Sequence, residues 1–194
     1  MFVFRMESQE LYDKYQHGRH WDNHPTAYAE RFAQFLANRG FSGLLIDVGC
    51  GTGRDVHFFS SRGFLVTGID YSDKEIALAR ARFSKERFEI QNAEELKFQN
   101  ESVGAIFMIN VIHYLNQKKA LEELFRILRP GGYVFIHFNL SVVDDAGAVD
   151  YSQSERDILE LLSKFSIVLK NIFERFDRTP TPHTHKVLEL ILQK

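Results

Sequence analysis

Cysteine is almost missing from this chain. Cys50 is its only one, so no intrachain disulfide can form, which fits a reducing, cytoplasmic setting. Long apolar runs are missing as well. None approaches the ~20 residues of a membrane span, and the opening MFVFRMESQE is broken by Arg5 and Glu7, too early for a signal h-region. Charge of one sign is lacking: 24 basic against 26 acidic residues leave a net charge of -2, so nothing draws the whole molecule toward nucleic acid or an anionic membrane. Repeats and low-complexity tracts are absent. What remains is an ordinary globular composition of 194 residues, 44% hydrophobic and 26% charged, suited to one domain. Phenylalanine is plentiful at 18 residues and is read as core, since aromatics dominate core energetics.

Short apolar runs alternate with helical periodicity. LLIDVG (44–49), FLVTGID (64–70), RFEIQ (87–91), VGAIFMI (103–109) and YVFIHFNL (133–140) read as strands. Between them, RDVHFFSSRG (54–63), SDKEIALARARFSKE (72–86) and QKKALEELFRIL (117–128) read as helices. Ser72 with Glu75 forms a capping box, and Pro130 and Gly131 stop the third helix. That alternation predicts an α/β fold, a parallel sheet with helices on both faces. The tail differs. A helix at 154–165 is followed by two strands, 166–176 and 185–194, with only the proline-bearing link DRTPTPHT between them. They pair most simply as an antiparallel hairpin. Ahead of the sheet, residues 8–39 hold one or two helices, ending at Gly40.

The stretch GLLIDVGCGTGRD (43–55) carries Gly49, Gly51 and Gly53 directly after the first strand. A glycine turn from strand to helix lets a ligand reach the backbone at a helix N-terminus. A nucleoside triphosphate would want GxxxxGK[ST], and no such lysine is present. A dinucleotide would want a third small residue where Arg54 stands, and Asp47 would repel its pyrophosphate. A cationic nucleoside suits Asp47 far better. Asp70, at the end of the next strand, stands where a ribose-binding acid is delivered.

These residues resemble class I S-adenosylmethionine-dependent methyltransferases. The likeness rests on IDVGCGTG (46–53), GIDYS (68–72), QNAEEL (91–96), NVIHYL (110–115) and LRPGG (128–132), in order and at proper spacing. It implies a three-layer αβα sandwich whose seven-stranded, mostly parallel sheet has the order 3-2-1-4-5-7-6, with strand 7 antiparallel. It implies S-adenosyl-L-methionine as cofactor and S-adenosyl-L-homocysteine as product. By resemblance, Gly49, Gly51 and Gly53 admit the cofactor, Asp47 lies near its ammonium end, and Arg54 reaches toward its carboxylate. Asp70 accepts the ribose hydroxyls, and Tyr71 packs on the adenine. Asn92, Ala93 and Glu94 border the adenine, and Asn110 meets the methionine portion. The family often begins its fourth strand with Asp, as in FDxV; here Gly104 stands in that place.

The single domain 1–194 then divides into a helical lid (1–40), a cofactor-binding core (41–140) and a C-terminal helix with β-hairpin (141–194). Tyr12, Tyr15 and Trp21 supply apolar cover for the lid, with Tyr15 a candidate catalytic residue. His113 is the candidate base and His137 a candidate substrate contact. His17, His20 and His24 are spaced by three and four, but Gly18 and Pro25 interrupt any continuous helix and no carboxylate joins them, so no metal site is assigned. His183 and His185 are read as exposed loop residues, and Cys50 as a packed small residue; one thiol cannot methylate arsenic. The expected activity is in-line methyl transfer to a small-molecule acceptor. The alternatives are a methyltransferase of protein or nucleic acid, or a non-catalytic binder of the same cofactor. Nucleic acid is disfavoured for want of a basic stripe, and no membrane partner is expected. The oligomeric state is not legible.

Overall fold

The computed structural model describes residues 24–178 and 181–194. Helix α1 (Ala27–Ala37) leads into β1 (Leu44–Val48), α2 (Arg54–Ser61), β2 (Leu65–Asp70), α3 (Asp73–Arg82), β3 (Arg87–Ile90) and β4 (Val103–Met108). A 3-10 turn (Ile112–Tyr114) precedes α4 (Gln117–Ile127), β5 (Leu128–Asp144), β6 (Val149–Ser152), α5 (Glu155–Leu161), β7 (Ser166–Asp177) and β8 (His183–Gln193). The expected lid residues Tyr12, Tyr15 and Trp21, with His17 and His20, lie outside the described residues.

Among the described residues, every α-helix except α2, which follows Gly53, begins where a short polar side chain takes up a first amide. Thr26 accepts from Ala29 N at 3.1 Å, Ser72 from Glu75 N at 3.3 Å, Asn116 from Lys119 N at 3.2 Å and Ser154 from Asp157 N at 3.1 Å. The sheet runs β3-β2-β1-β4-β5-β8-β7, with β6 pairing the far end of β5. β8 is antiparallel to both its neighbours, and the strands from β3 to β5 are parallel. With β6 set aside, this is the expected order. The eighth strand is the difference. Asp144 Oδ1 accepts from Ala146 N at 3.0 Å and Ala148 N at 2.8 Å, and this turn lets the chain double back into β6. β5 therefore runs to Asp144 instead of stopping at Leu140.

Side-chain alternation along each strand splits the core in two. Ile46, Ile106, Met108, Val134, Ile136 and Phe138 face α4 and α5 and meet Leu121, Leu124 and Ile158. Leu45, Ala105, Phe107 and Phe135 face α1, α2 and α3 and meet Phe32, Leu36, Phe59 and Ile76. The phenylalanines do form core: Phe107 lies 5.3 Å from Phe59 and 5.4 Å from Phe135, centroid to centroid. Gly104 also has a packing reason. A Cβ there would stand 2.9 Å from the Phe41 ring, so the aspartate common at this place would collide with it.

Candidate cofactor site and acceptor wall

The loop between β1 and α2 is folded by its own amides. Gly49 N and Cys50 N both donate to Ile69 O, at 2.8 and 3.0 Å, and Gly53 N donates to Cys50 O at 3.0 Å. Two of the glycines are fixed by packing. A Cβ on Gly49 would stand 2.2 Å from Val111 Cγ2, and one on Gly53 2.6 Å from Phe88 Cζ. Gly51 differs. Its φ is +51°, and the nearest atom to a Cβ there is Glu75 Oε2 at 3.9 Å. The bare, open backbone of the cradle is therefore at Gly51.

Acids surround that opening. Asp70 Oδ2 accepts from Gly51 N at 3.0 Å and its Oδ1 from Ser72 N at 2.9 Å. Asp47 is buried on β1, and its carboxyl is pushed well above the ordinary range by burial, then by Asp55 and Asp70, with Arg54 opposing. Asp55, in the first turn of α2, is also raised, by burial, although Thr26 donates to it through N at 2.7 Å and Oγ at 3.2 Å. Glu75 is raised by burial and then by Asp70. Arg54 approaches Asp55 at 3.9 Å. Like charges crowded in a low dielectric are costly, and a cation among them relieves the cost. The cluster therefore fits the sulfonium and ammonium of S-adenosylmethionine and opposes a pyrophosphate. Sequence reasoning missed Asp55. An acid in the first turn after the glycine loop was the available signal.

The rim of the site is mixed. Tyr71 is 78% exposed and Ile90 46%, an uncovered apolar edge at the ends of β2 and β3. Ala93 is buried. Asn92 Oδ1 accepts from Glu94 N at 2.9 Å, and Glu94 Oε1 accepts from Asn116 N at 2.8 Å, tying this loop to the start of α4. Asn110 follows β4 with φ 57°, and its Oδ1 accepts from Arg175 Nη1 at 3.0 Å. The end of the β7–β8 hairpin thus reaches the loop after β4. Cys50 is buried and its thiol is pushed well up by burial, then by Asp47, which leaves it inert.

On the neighbouring strands β5 and β8 stands a buried polar wall. His137 Nε2 bonds Glu189 Oε2 at 3.0 Å, and Arg31 pairs with the same oxygen. Tyr28 meets the His137 ring edge-on at 4.4 Å, and Phe173 lies 6.0 Å from it. Burial pushes His137 below its ordinary value despite Glu189. Burial alone would raise Glu189, but the bonds from His137 and Arg31 outweigh it and hold the carboxyl low. His113 is also buried, but against Tyr114 at 4.2 Å and Tyr151 at 6.3 Å. Different layers therefore hold the two histidines. His183 and His185 are not exposed loop residues: they are 0% and 2% accessible, because β8 begins at His183 and turns both rings inward.

A doubly wound sheet with an acid-ringed glycine turn at the end of β1 defines a Rossmann-like fold. A family model described as a methyltransferase domain matches residues 46–136. A probable S-adenosylmethionine-dependent methyltransferase of Mycolicibacterium smegmatis is 32% identical over 104 residues, 53% of this chain and 40% of that protein. Probable tRNA methyltransferase 9B of Bos taurus is 31% identical over 138 residues, 69% of this chain and 30% of that protein. A solved S-adenosylmethionine-dependent methyltransferase of Methanosarcina mazei shares the fold with TM-score 0.68 and 21% identity, over 82% of this chain and 96% of that one. Over residues 46–136 the chain is therefore similar to S-adenosylmethionine-dependent methyltransferases, and it shares the fold of the solved one. It spans less than half the length of these two curated relatives.

Proposed function

We propose that the protein transfers the methyl group of S-adenosylmethionine to a small molecule held against the His137–Glu189 wall. The observation that carries this reading is the open Gly51 backbone among Asp47, Asp55 and Asp70. Asp70 would take the ribose hydroxyls, Asp47 and Asp55 the cationic methionine end, and Tyr71 the adenine, with Asn92, Ala93 and Glu94 along its border. Gly49 and Gly53 shape the turn, and Arg54 and Asn110 sit at the methionine end. The cofactor, when bound, supplies an already activated methyl group, so the chain chiefly aligns donor and acceptor. Glu189 fixes His137 by one nitrogen. The other, Nδ1, is buried with no hydrogen-bond partner among the described residues. Held neutral, His137 can accept a proton from an acceptor hydroxyl, amine or thiol. His113, packed between tyrosines, is the weaker candidate for that part.

A relative described as a tRNA methyltransferase supplies the competing reading, a nucleic-acid acceptor. Tritium transfer from labelled cofactor into a metabolite pool and into bulk tRNA separates the two. Label in the metabolite fraction, lost in His137→Phe while adenosylhomocysteine still binds, supports the proposal. Label only in tRNA overturns the small-molecule reading, and full turnover by His137→Phe overturns the role of the wall.

A further inference from the structure

We propose that Asp177, His183 and His185 form a binding site for a first-row divalent metal ion, of which Zn2+ is the best match, at the tip of the β7–β8 hairpin. The three residues are buried, and one ligand atom from each lies within 4.8 Å of the others. The backbone brings them together. Asp177 is the last residue of β7 and pairs directly with His183, the first of β8. His185, two residues on, returns to the same face of the strand. Nε2 of His183 and of His185 stand 3.7 and 3.4 Å from Asp177 Oδ2. Two ligands on a tetrahedral ion with bonds of ~2.0–2.1 Å stand about 3.3 Å apart, so the two histidine–aspartate spacings need only small adjustment.

The second observation is how the two rings are held from behind. His183 Nδ1 lies 2.6 Å from Thr181 O, a carbonyl that can only accept. His185 Nδ1 lies 3.2 Å from Asn139 Oδ1. The Thr181 carbonyl places the hydrogen of a neutral His183 on Nδ1, and the tautomer of His185 that donates to Asn139 Oδ1 does the same, so that both Nε2 atoms can offer a lone pair to a metal ion beside the carboxylate. In that arrangement two imidazole lone pairs and a carboxylate oxygen converge on one point, which suits a cation. A ring N–H given to a carbonyl or amide oxygen is also how metal-bound imidazoles are oriented. Two imidazoles and one carboxylate select a borderline ion such as Zn2+ over Mg2+ or Ca2+ and leave a coordination position open. Arg175 donates to Asp177 Oδ2 at 3.1 Å and to Asn110 Oδ1. An ion must share that oxygen with Arg175 or use the other one. The same arginine links the tip to the loop after β4.

The test uses metal-stripped full-length protein titrated with ZnCl2 by calorimetry. The expected result is one Zn2+ per chain, with affinity reduced at least 100-fold in His183→Gln/His185→Gln and in Asp177→Asn, each checked for native circular dichroism. Diffraction at the zinc edge from wild-type crystals soaked in ZnCl2 decides even if the variants misfold, with the anomalous peak expected among the three residues. No binding by the wild type, undiminished binding by the folded variants, or a peak elsewhere, such as at His24, overturns the proposal.

Discussion

Asp70→Asn separates the two tasks assigned to one carboxylate, holding the turn and accepting the ribose hydroxyls. In the present structure both oxygens are engaged with backbone, at 3.0 Å to Gly51 N and 2.9 Å to Ser72 N. Asparagine keeps one oxygen and turns an NH2 group toward the other amide, so one of these bonds is lost. A hydrogen bond to a charged group contributes about 1.5–3 kcal/mol. Part of that loss is offset, because Asp70 also raises the carboxyls of Asp47 and Glu75 and its removal relieves them. A net destabilisation of about 1–2 kcal/mol follows, a fall in Tm of roughly 2–8 °C for a domain of this size. Ligand affinity has no such offset. Losing a charged acceptor for the ribose hydroxyls costs about 1.5–3 kcal/mol, a weakening of roughly 10- to 150-fold. Adenosylhomocysteine titrated by calorimetry measures this, with thermal unfolding of the ligand-free protein measured in parallel. A folded Asp70→Asn that binds adenosylhomocysteine within twofold of wild type refutes the assignment of Asp70 to the ribose.

Gly53→Ala should cost ~2–5 kcal/mol in urea unfolding, because Ala must hold φ +83° and set its Cβ 2.6 Å from Phe88 Cζ. Gly63→Ala, at φ +85° with nothing within 4 Å, should cost only ~1–2 kcal/mol; equal losses would remove the packing argument. Asp47 predicts a pH effect. Its folded carboxyl takes up a proton at higher pH than its ordinary value of 3.8, so the native state binds more protons than the unfolded one between those limits. Asp47 therefore destabilises the ligand-free fold at neutral pH, and that loss is recovered as pH falls through the raised value. Asp47→Asn should raise the Tm of the ligand-free protein at pH 7 and flatten its slope on the acid side. An unchanged Tm and slope would mean that burial does not burden this carboxylate.

The parallel half of the fold was legible because its signals are local. Ser72 and Ser154 cap the helices they were expected to cap, and β4 is buried along its whole length. β6 was missed because its turn depends on one aspartate, Asp144, in a stretch with little apolar alternation. Asp47 and Asp70 could be named from sequence; Asp55 carried only the signal of an acid in the first turn of its helix, and its tie to Thr26, 29 residues away, shows only in the fold. The histidines of β8 were misjudged for a related reason. The proline-bearing link hid the start of the strand, and only the register of β7 on β8 places Asp177 opposite His183. Nor could spacing reveal the His137–Glu189 pair, whose members lie 52 residues apart on neighbouring antiparallel strands.

The most direct test compares nucleosides of opposite charge on the same wild-type protein. Calorimetric titrations with S-adenosylmethionine, adenosylhomocysteine and ATP, run side by side at pH 7, should show one site for each of the first two and no saturable uptake of ATP. Saturable ATP binding, with neither S-adenosylmethionine nor adenosylhomocysteine taken up, would contradict the claim that the acids around Gly51 select a cation.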